Sequence, residues 1–272
     1  MEHLPDEVLT HYEQDVDEAT RITEGFRRLE LVRTREIVRR HLPSGPLRVL
    51  DVGGGAGVHA AWLAEDGHQV HLVDPVARHV DQARRLTASG DSVTAELGDA
   101  RELPDADESF DAVLVLGPLY HLVGADDRLR ALREARRVVR RGGLLFVGAI
   151  SRFASLFDGL SREFLFDPEF RAVVVDDLRD GRHRNPGTRP EWFTTAYFHR
   201  PDELQQEAEN ARLDVVELLG LEGLAGWLPH LADRWSNEDD RDTILFAARA
   251  VESEPALSGL SAHLLLVARR PA

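Results

Sequence analysis

The sequence predicts an α/β fold built on a doubly wound parallel sheet, and three of its features predict it. Short apolar runs alternate with helical patterns from Leu47 onward, the signature of successive β-α units. The first run ends in a cluster of glycines, DVGGGAG at 51–57, placed between a strand and a helix. The run FDAVLVLG at 110–117 is apolar throughout and too short for a helix, as expected of a strand covered on both faces. A chain of 272 residues fits one large domain (1–272). Within it we separate an N-terminal helical lid (1–45), a core (46–150), a cap insertion (151–200) and a C-terminal part of the core (201–272).

Residues 5–42 place Leu29, Val32, Ile37 and Val38 at helical spacing and stop at Pro43, Ser44 and Gly45, which predicts two helices ahead of the core. LRVLDV (47–52) is the first strand, and a helix follows from Val58 to Glu65. QVHLVD (69–74) and SVTAEL (92–97) are the next strands, with a helix from Val76 to Ala88 between them. After the strand at 110–117 a helix is predicted over Asp126–Arg140, closed by Arg141, Gly142 and Gly143 with glycine at its cap. LLFVGAI (144–150) is the fifth strand. Between Ser151 and Arg200 the alternation breaks into aromatics mixed with Arg, His, Asn and Thr, which predicts an insertion capping the sheet. A helix at Pro201–Ala211, a strand LDVVELLG (213–220), a helix at Asp239–Val251 and a strand HLLLVAR (263–269) follow.

Composition removes whole chemistries. The chain has no Cys, and all 33 basic residues are Arg. Without Lys there is no Schiff-base enzyme, no P-loop lysine and no Tyr-Lys proton relay. Without Cys there is no thiol nucleophile, thiolate zinc site, iron–sulfur cluster or disulfide. The 48 acidic residues give a net charge of −15, which repels nucleic-acid phosphates and anionic membrane. The start MEHLPDEVLT lacks an apolar signal region, and no stretch approaches the roughly 20 apolar residues of a span. A soluble, cytoplasmic protein is expected.

Asp51, Gly53, Gly55 and Gly57 form D-x-G-x-G-x-G after the first strand. Glycines here let the backbone approach a ligand, and the N–H groups of a helix N-terminus face it. Asp74 ends the second strand, where a carboxylate can accept hydrogen bonds from both ribose hydroxyls of an adenosine. Gly55-x-Gly57-x-x-Ala60 also satisfies a dinucleotide fingerprint. Asp99 in LGDA, just after the third strand, can reach an adenine amino group and separates the readings. DVGGGAG, Asp74, GDA, FDAVLVLGPLYHL and REARRVVRRGGLL, in that order and spacing, resemble class I S-adenosylmethionine-dependent methyltransferases, most of all the branch that includes the ubiquinone and menaquinone C-methyltransferases.

The resemblance implies a Rossmann-like seven-stranded sheet of order 3-2-1-4-5-7-6 with the last strand antiparallel, and S-adenosylmethionine as the cofactor. Carried over singly, Asp51 would orient the glycine loop and the methionyl amino group, and Gly53 and Gly55 would pass under the cofactor. Asp74 would hold the ribose, Asp99 and Ala100 the adenine, and Leu116 and Gly117 would lie beside the methionine part. In relatives the helices before the first strand close over the cofactor, which would put Tyr12 and Arg21 on it.

Ligands in this architecture meet at the carboxyl ends of the strands, so Tyr120 and His121 are the candidate catalytic residues, His121 as general base with an ordinary pKa of about 6.5. The motif GPLY departs from the [N/D]-P-P-Y of amino-group methyltransferases at Gly117, and that function is not carried over. In the cap, Arg152, Arg182, His183, Tyr197 and His199 are candidate substrate contacts, with Asn185, Thr194 and Thr195 beside them. His59, His68, His71 and His79 form no metal-ligating spacing, so no metal is expected. The function expected is methyl transfer to O, N or activated C of a small-molecule acceptor. The partners expected are that acceptor and, as one option, a second copy in a homodimer, with no nucleic acid and no membrane. The alternatives are a non-catalytic or repurposed binder of the same cofactor and an NAD-dependent oxidoreductase.

Overall fold

The structure is a computed structural model that describes residues 27–86, 92–185 and 189–272. Its order of elements follows the alternation in the sequence: α1 (Arg27–His41), β1 (Arg48–Val52), α2 (Val58–Glu65), β2 (Gln69–Asp74), α3 (Ala77–Leu86), β3 (Val93–Leu97), β4 (Phe110–Val115), α4 (Pro118–His121), α5 (Ala125–Val138) and β5 (Val139–Ile150). Residues 151–200, expected as a cap, hold α6 (Ala154–Ser161), α7 (Pro168–Asp180) and the short strands β6 (Arg182–His183) and β7 (Ala196–Tyr197). Then come α8 (Pro201–Asn210), β8 (Asp214–Gly220), α9 (Leu231–Trp235), α10 (Glu238–Val251) and β9 (His263–Arg269).

Seven strands pair in the order β3-β2-β1-β4-β5-β9-β8. β1 is parallel to both β2 and β4, and β9 runs antiparallel to both β5 and β8. With β8 and β9 as the sixth and seventh strands of the sheet, this is the expected order. Side chains alternate across it with period two. Leu50, Val113, Val115 and Leu145 face Leu132 and Val138 of α5, while Val49, Leu72, Leu114 and Phe146 face Ile37 of α1 and Leu63 of α2. This double cover is why β4 reads as an unbroken apolar run.

Three expectations are corrected. The helix before β5 ends at Val138, and Val139 is already extended. The glycines close no helix: β5 uses Val139 to Leu144 where β4 uses Phe110 to Ala112, so Gly142, at φ 73°, and Gly143 sit in an irregularity of the strand. A short helix, α9, and a 3₁₀ turn at Gly223–Trp227 fill the span between β8 and α10, to which no element was assigned from the sequence. Of the segment 1–45, expected as a helical lid, the described part holds α1; Tyr12 and Arg21 lie outside the described residues. No helix among the described residues is long and apolar enough to cross a membrane.

Arginines fasten the periphery to this sheet. Arg33 of α1, 1% exposed, pairs with Glu36 and Glu252 and donates to the Leu221 carbonyl at 3.3 Å. Arg128 of α5 grips Glu207 of α8 (2.9 and 2.7 Å), donates to the Leu122 and Val123 carbonyls, and lies 3.6 Å above the Tyr197 ring. Arg128→Ala would leave a carboxylate and two carbonyls buried without their cation. Urea unfolding is expected to show a loss of about 3 to 5 kcal/mol.

Candidate active site

β1 stops at Val52 and the chain turns across the edge of the sheet. Gly53, Gly55 and Gly57 take φ of 67°, 56° and 86°, a region that side chains strain to enter. Space is short too. A Cβ on Gly53 would stand 2.6 Å from Cγ of Pro118, one on Gly117 2.9 Å from the Gly53 carbonyl oxygen, and one on Gly54 2.5 Å from Asp51 Oδ2. The turn is bare backbone laid against the tip of β4, and α2 begins directly after it with its unpaired N–H groups.

A cleft opens along the carboxyl ends of four strands. The turn contributes Asp51, Gly53, Gly54, Gly55, Ala56, Val58 and His59. Leu116, Gly117 and Tyr120 come from the end of β4, and Gly148 and Ala149 from β5. Glu30 and Thr34 of α1, Leu221, and His263 to Leu265 of β9 close it. Of the predicted residues, Asp51, Gly53, Gly55, Leu116, Gly117 and Tyr120 thus meet in one place.

Two carboxylates stand at the ends of adjacent strands. Asp74, 4% exposed, accepts at Oδ1 from the backbone N–H of Val76 (2.9 Å) and from His79 Nδ1 (3.1 Å), and at Oδ2 from the N–H of Gly55 (3.0 Å). It ties the glycine turn to β2, and Oδ2 keeps a second lone pair for a ligand hydroxyl. Asp51 is 1% exposed and neither of its oxygens has a hydrogen-bond partner. Burial, and next the charge of Asp74, push its carboxyl up to about 7. A buried acceptor with no donor is a position built for one that arrives with a ligand. The methionyl ammonium of S-adenosylmethionine is such a donor, and the bare turn beside it leaves room for close approach, so the residues present fit that cofactor.

Other expected residues lie elsewhere. Asp99 is held by Arg101, whose Nε and Nη2 donate at 3.0 and 2.6 Å, and although burial opposes its charge this pairing keeps the carboxyl below the usual carboxylate range. Ala100 packs on the core edge. His121 is not in the cleft wall: its ring packs 4.5 Å from Tyr120 and 6.3 Å from Phe193.

Among the expected substrate contacts, Arg152, His183, Tyr197 and His199 have protein partners. His183 is committed to Asp177 (2.8 Å) and the Trp192 carbonyl (2.7 Å). Arg152 donates to the Phe198 carbonyl (2.8 Å) and Glu203 (2.5 Å), with Tyr197 on the same carboxylate. His199 is fully buried against Glu207 at 3.3 Å, and Arg182 faces outward. Polar groups under a buried cap need partners of their own, and these hold the cap down. Glu30, Thr34, His59 and His263 were missed as cleft residues: Glu30, Thr34 and His263 come from segments that carry no motif, and His59 follows the glycine turn on α2. His59 is a neutral wall group, its pKa pushed down to about 4 by burial, and its Nδ1 accepts from the Trp62 indole N–H at 3.2 Å.

Comparison with known proteins agrees with this geometry. A family model described as a methyltransferase domain matches residues 49–143. An uncharacterised methyltransferase of Mycobacterium tuberculosis is 36% identical over 175 residues, 64% of this chain and 65% of that protein. The chain therefore spans just under two thirds of that relative's length. A ubiquinone biosynthesis O-methyltransferase of Agrobacterium fabrum is 33% identical over 222 residues, 79% of each. A solved structure from Thermotoga maritima, described as a SAM-dependent methyltransferase and possible histamine N-methyltransferase, has a TM-score of 0.59 at 23% identity, covering 96% of this chain and 99% of that one. At that identity the likeness is one of fold.

The Asp51 carboxyl sets a measurable pH dependence. Its pKa is near 4 in the unfolded chain and about 7 when folded, so between these values the folded state keeps a proton that the unfolded state has lost. Its contribution to stability is full below pH 4 and disappears as pH rises through 7. Without ligand, Asp51→Asn is expected to be more stable than the parent at pH 8 by roughly 2 to 4 kcal/mol and equal to it near pH 4. Urea midpoints at the two pH values check this.

Proposed function

This chain belongs to the class I S-adenosylmethionine-dependent methyltransferase family, and from that premise we propose that it transfers a methyl group from S-adenosylmethionine to an O, N or activated C of a small-molecule acceptor. The observation that carries the reading is the orphaned carboxylate of Asp51 beside a bare glycine turn. A purely structural sheet has no reason to bury a carboxylate without donors, at a cost of about 1 to 3 kcal/mol or more. The net charge of −15 supports a small acceptor over nucleic acid.

When bound, the cofactor supplies a methyl carbon already activated by a sulfonium. The protein's own task is then alignment, which in the best intramolecular cases supplies roughly 7 to 11 kcal/mol. In this reading Asp51 takes the methionyl ammonium, Gly53 and Gly55 lie under the donor, Asp74 takes the ribose hydroxyls, and Asp99 and Ala100 flank the adenine. Leu116 and Gly117 form the wall beside the reacting carbon. Tyr12 and Arg21 are assigned to closure over the donor. Tyr120 divides donor from acceptor, and His121 positions Tyr120 through their ring contact in place of its expected role as base, because Tyr120 and not His121 lines the cleft.

Two measurements follow. Calorimetry is expected to show S-adenosylhomocysteine binding in the micromolar range, and Asp74→Ala to weaken it by about 30- to 1,000-fold with the fold intact. Tighter binding of NAD would overturn the reading. With an acceptor found by screening metabolites for a methyl mass shift, His121→Gln is expected to raise KM and to leave the pH profile of kcat unchanged. Loss of the acid limb would return His121 to the role of base.

A further inference from the structure

The wall of the cleft opposite Asp51 carries a second charged constellation that the sequence did not suggest. Glu222, 3% exposed, follows β8 and is fixed by three donors: Ser261 Oγ at 2.6 Å and the His263 N–H at 3.1 Å on Oε2, and His263 Nδ1 at 2.6 Å on Oε1. Ser261 Oγ in turn accepts from the N–H groups of Glu222 and Gly223. Glu30 of α1 stands 3.7 Å from the same Nδ1. Nδ1 is thus committed, and Nε2 is the ring nitrogen left to a ligand on a residue that lines the cleft.

The place of this ring matters. His263 pairs with Ile150 of β5, and β5 pairs with β4. At about 4.8 Å between strands, β9 lies roughly 10 Å beyond β4, on the side of the cleft away from Asp51. A small acceptor seated between Tyr120 and β9 would meet His263.

Resting on the methyltransferase reading, we propose that His263, fixed by Glu222, selects the acceptor by donating its Nε2–H to an acidic hydroxyl, phenolic or enolic, that is methylated as its anion. Burial works against a charged imidazole, but Glu30 and then Glu222 lift its pKa to about 9, against a smaller opposing effect of Arg27. The ring is therefore a cation at neutral pH, offered to an anionic oxygen. The acceptor gives its proton to solvent on binding. Its oxygen lone pair then forms the bond to the methyl carbon, and the carbon–sulfur bond breaks with its electron pair left on sulfur, so no base is required in the transfer itself.

The test uses 4-nitrophenol, whose ionisation is visible, bound to the full-length protein saturated with S-adenosylhomocysteine. The bound probe is expected to ionise about one pH unit or more below the free phenol, a tenfold change in its ionisation. His263→Gln is expected to abolish that shift while S-adenosylhomocysteine affinity stays within about twofold. A bound probe that ionises no more easily than the free one, a shift that survives His263→Gln, or no binding of the probe at millimolar concentration overturns the proposal. Failure of the parent protein to bind S-adenosylhomocysteine overturns the methyltransferase reading instead. Should the variant not fold, nitrogen NMR of the parent decides: an imidazolium that persists above about pH 7 supports the proposal, and one that loses its proton at or below its ordinary value of about 6.5 overturns it.

Discussion

Asp51 and Asp74 end neighbouring parallel strands, and the arrangement around the cleft turns on how differently they are satisfied. Asp74 has three donors, one of them the N–H of Gly55, and so pins the glycine turn in place. Asp51 has none and sits under the turn that Asp74 holds. A side chain on Gly54 would collide with it, and one on Gly53 or Gly117 would push the turn off β4. The mutual repulsion of the two carboxylates adds to burial in lifting the Asp51 pKa. The region is therefore less stable than it would be with a neutral residue there, as expected of a binding site whose last partner is a ligand.

The remaining polar architecture is built on arginine. With no lysine in the chain, the buried anchors Arg33, Arg128 and Arg270 are planar guanidinium groups that can serve several acceptors at once. Arg128 joins α5, α8 and the cap through Glu207, two carbonyls and the Tyr197 face. Arg270 collects the carbonyls of Arg136, Arg137 and Val139, where α5 passes into β5. Arg33 fixes α1 to Leu221 and Glu252, and so places Glu30 and Thr34 at the cleft. Strain appears nearby: Phe193, with φ 70°, turns its ring toward Tyr120 and His121, so that the cap wall and the tip of β4 form one aromatic surface.

Family membership fixes less than the fold suggests, because one architecture hosts many reactions. In the proposed reading the cofactor is held by β1, β2 and the turn between β1 and α2. In the same reading the acceptor falls to α1, Tyr120 and the β8–β9 region.

The sequence by itself determined the strands and the glycine turn, because each rests on residues adjacent in the chain: the short apolar run in LRVLDV, the longer one in FDAVLVLG, and glycines at positions where φ is positive. Asp51, Gly53, Gly55, Leu116, Gly117 and Tyr120 were legible for the same reason, since a strand end delivers its next residues to the ligand edge. What the cap's polar residues do was not legible. Nothing local in Arg152, His183 or His199 tells that Glu203, Asp177 and Glu207 will consume them. Nor could Glu30, Glu222 and His263, spread over most of the chain, be seen as one constellation. Only the tertiary structure decided that, because β9 inserts between β5 and β8 and brings the last strand against the helix nearest the start of the described chain.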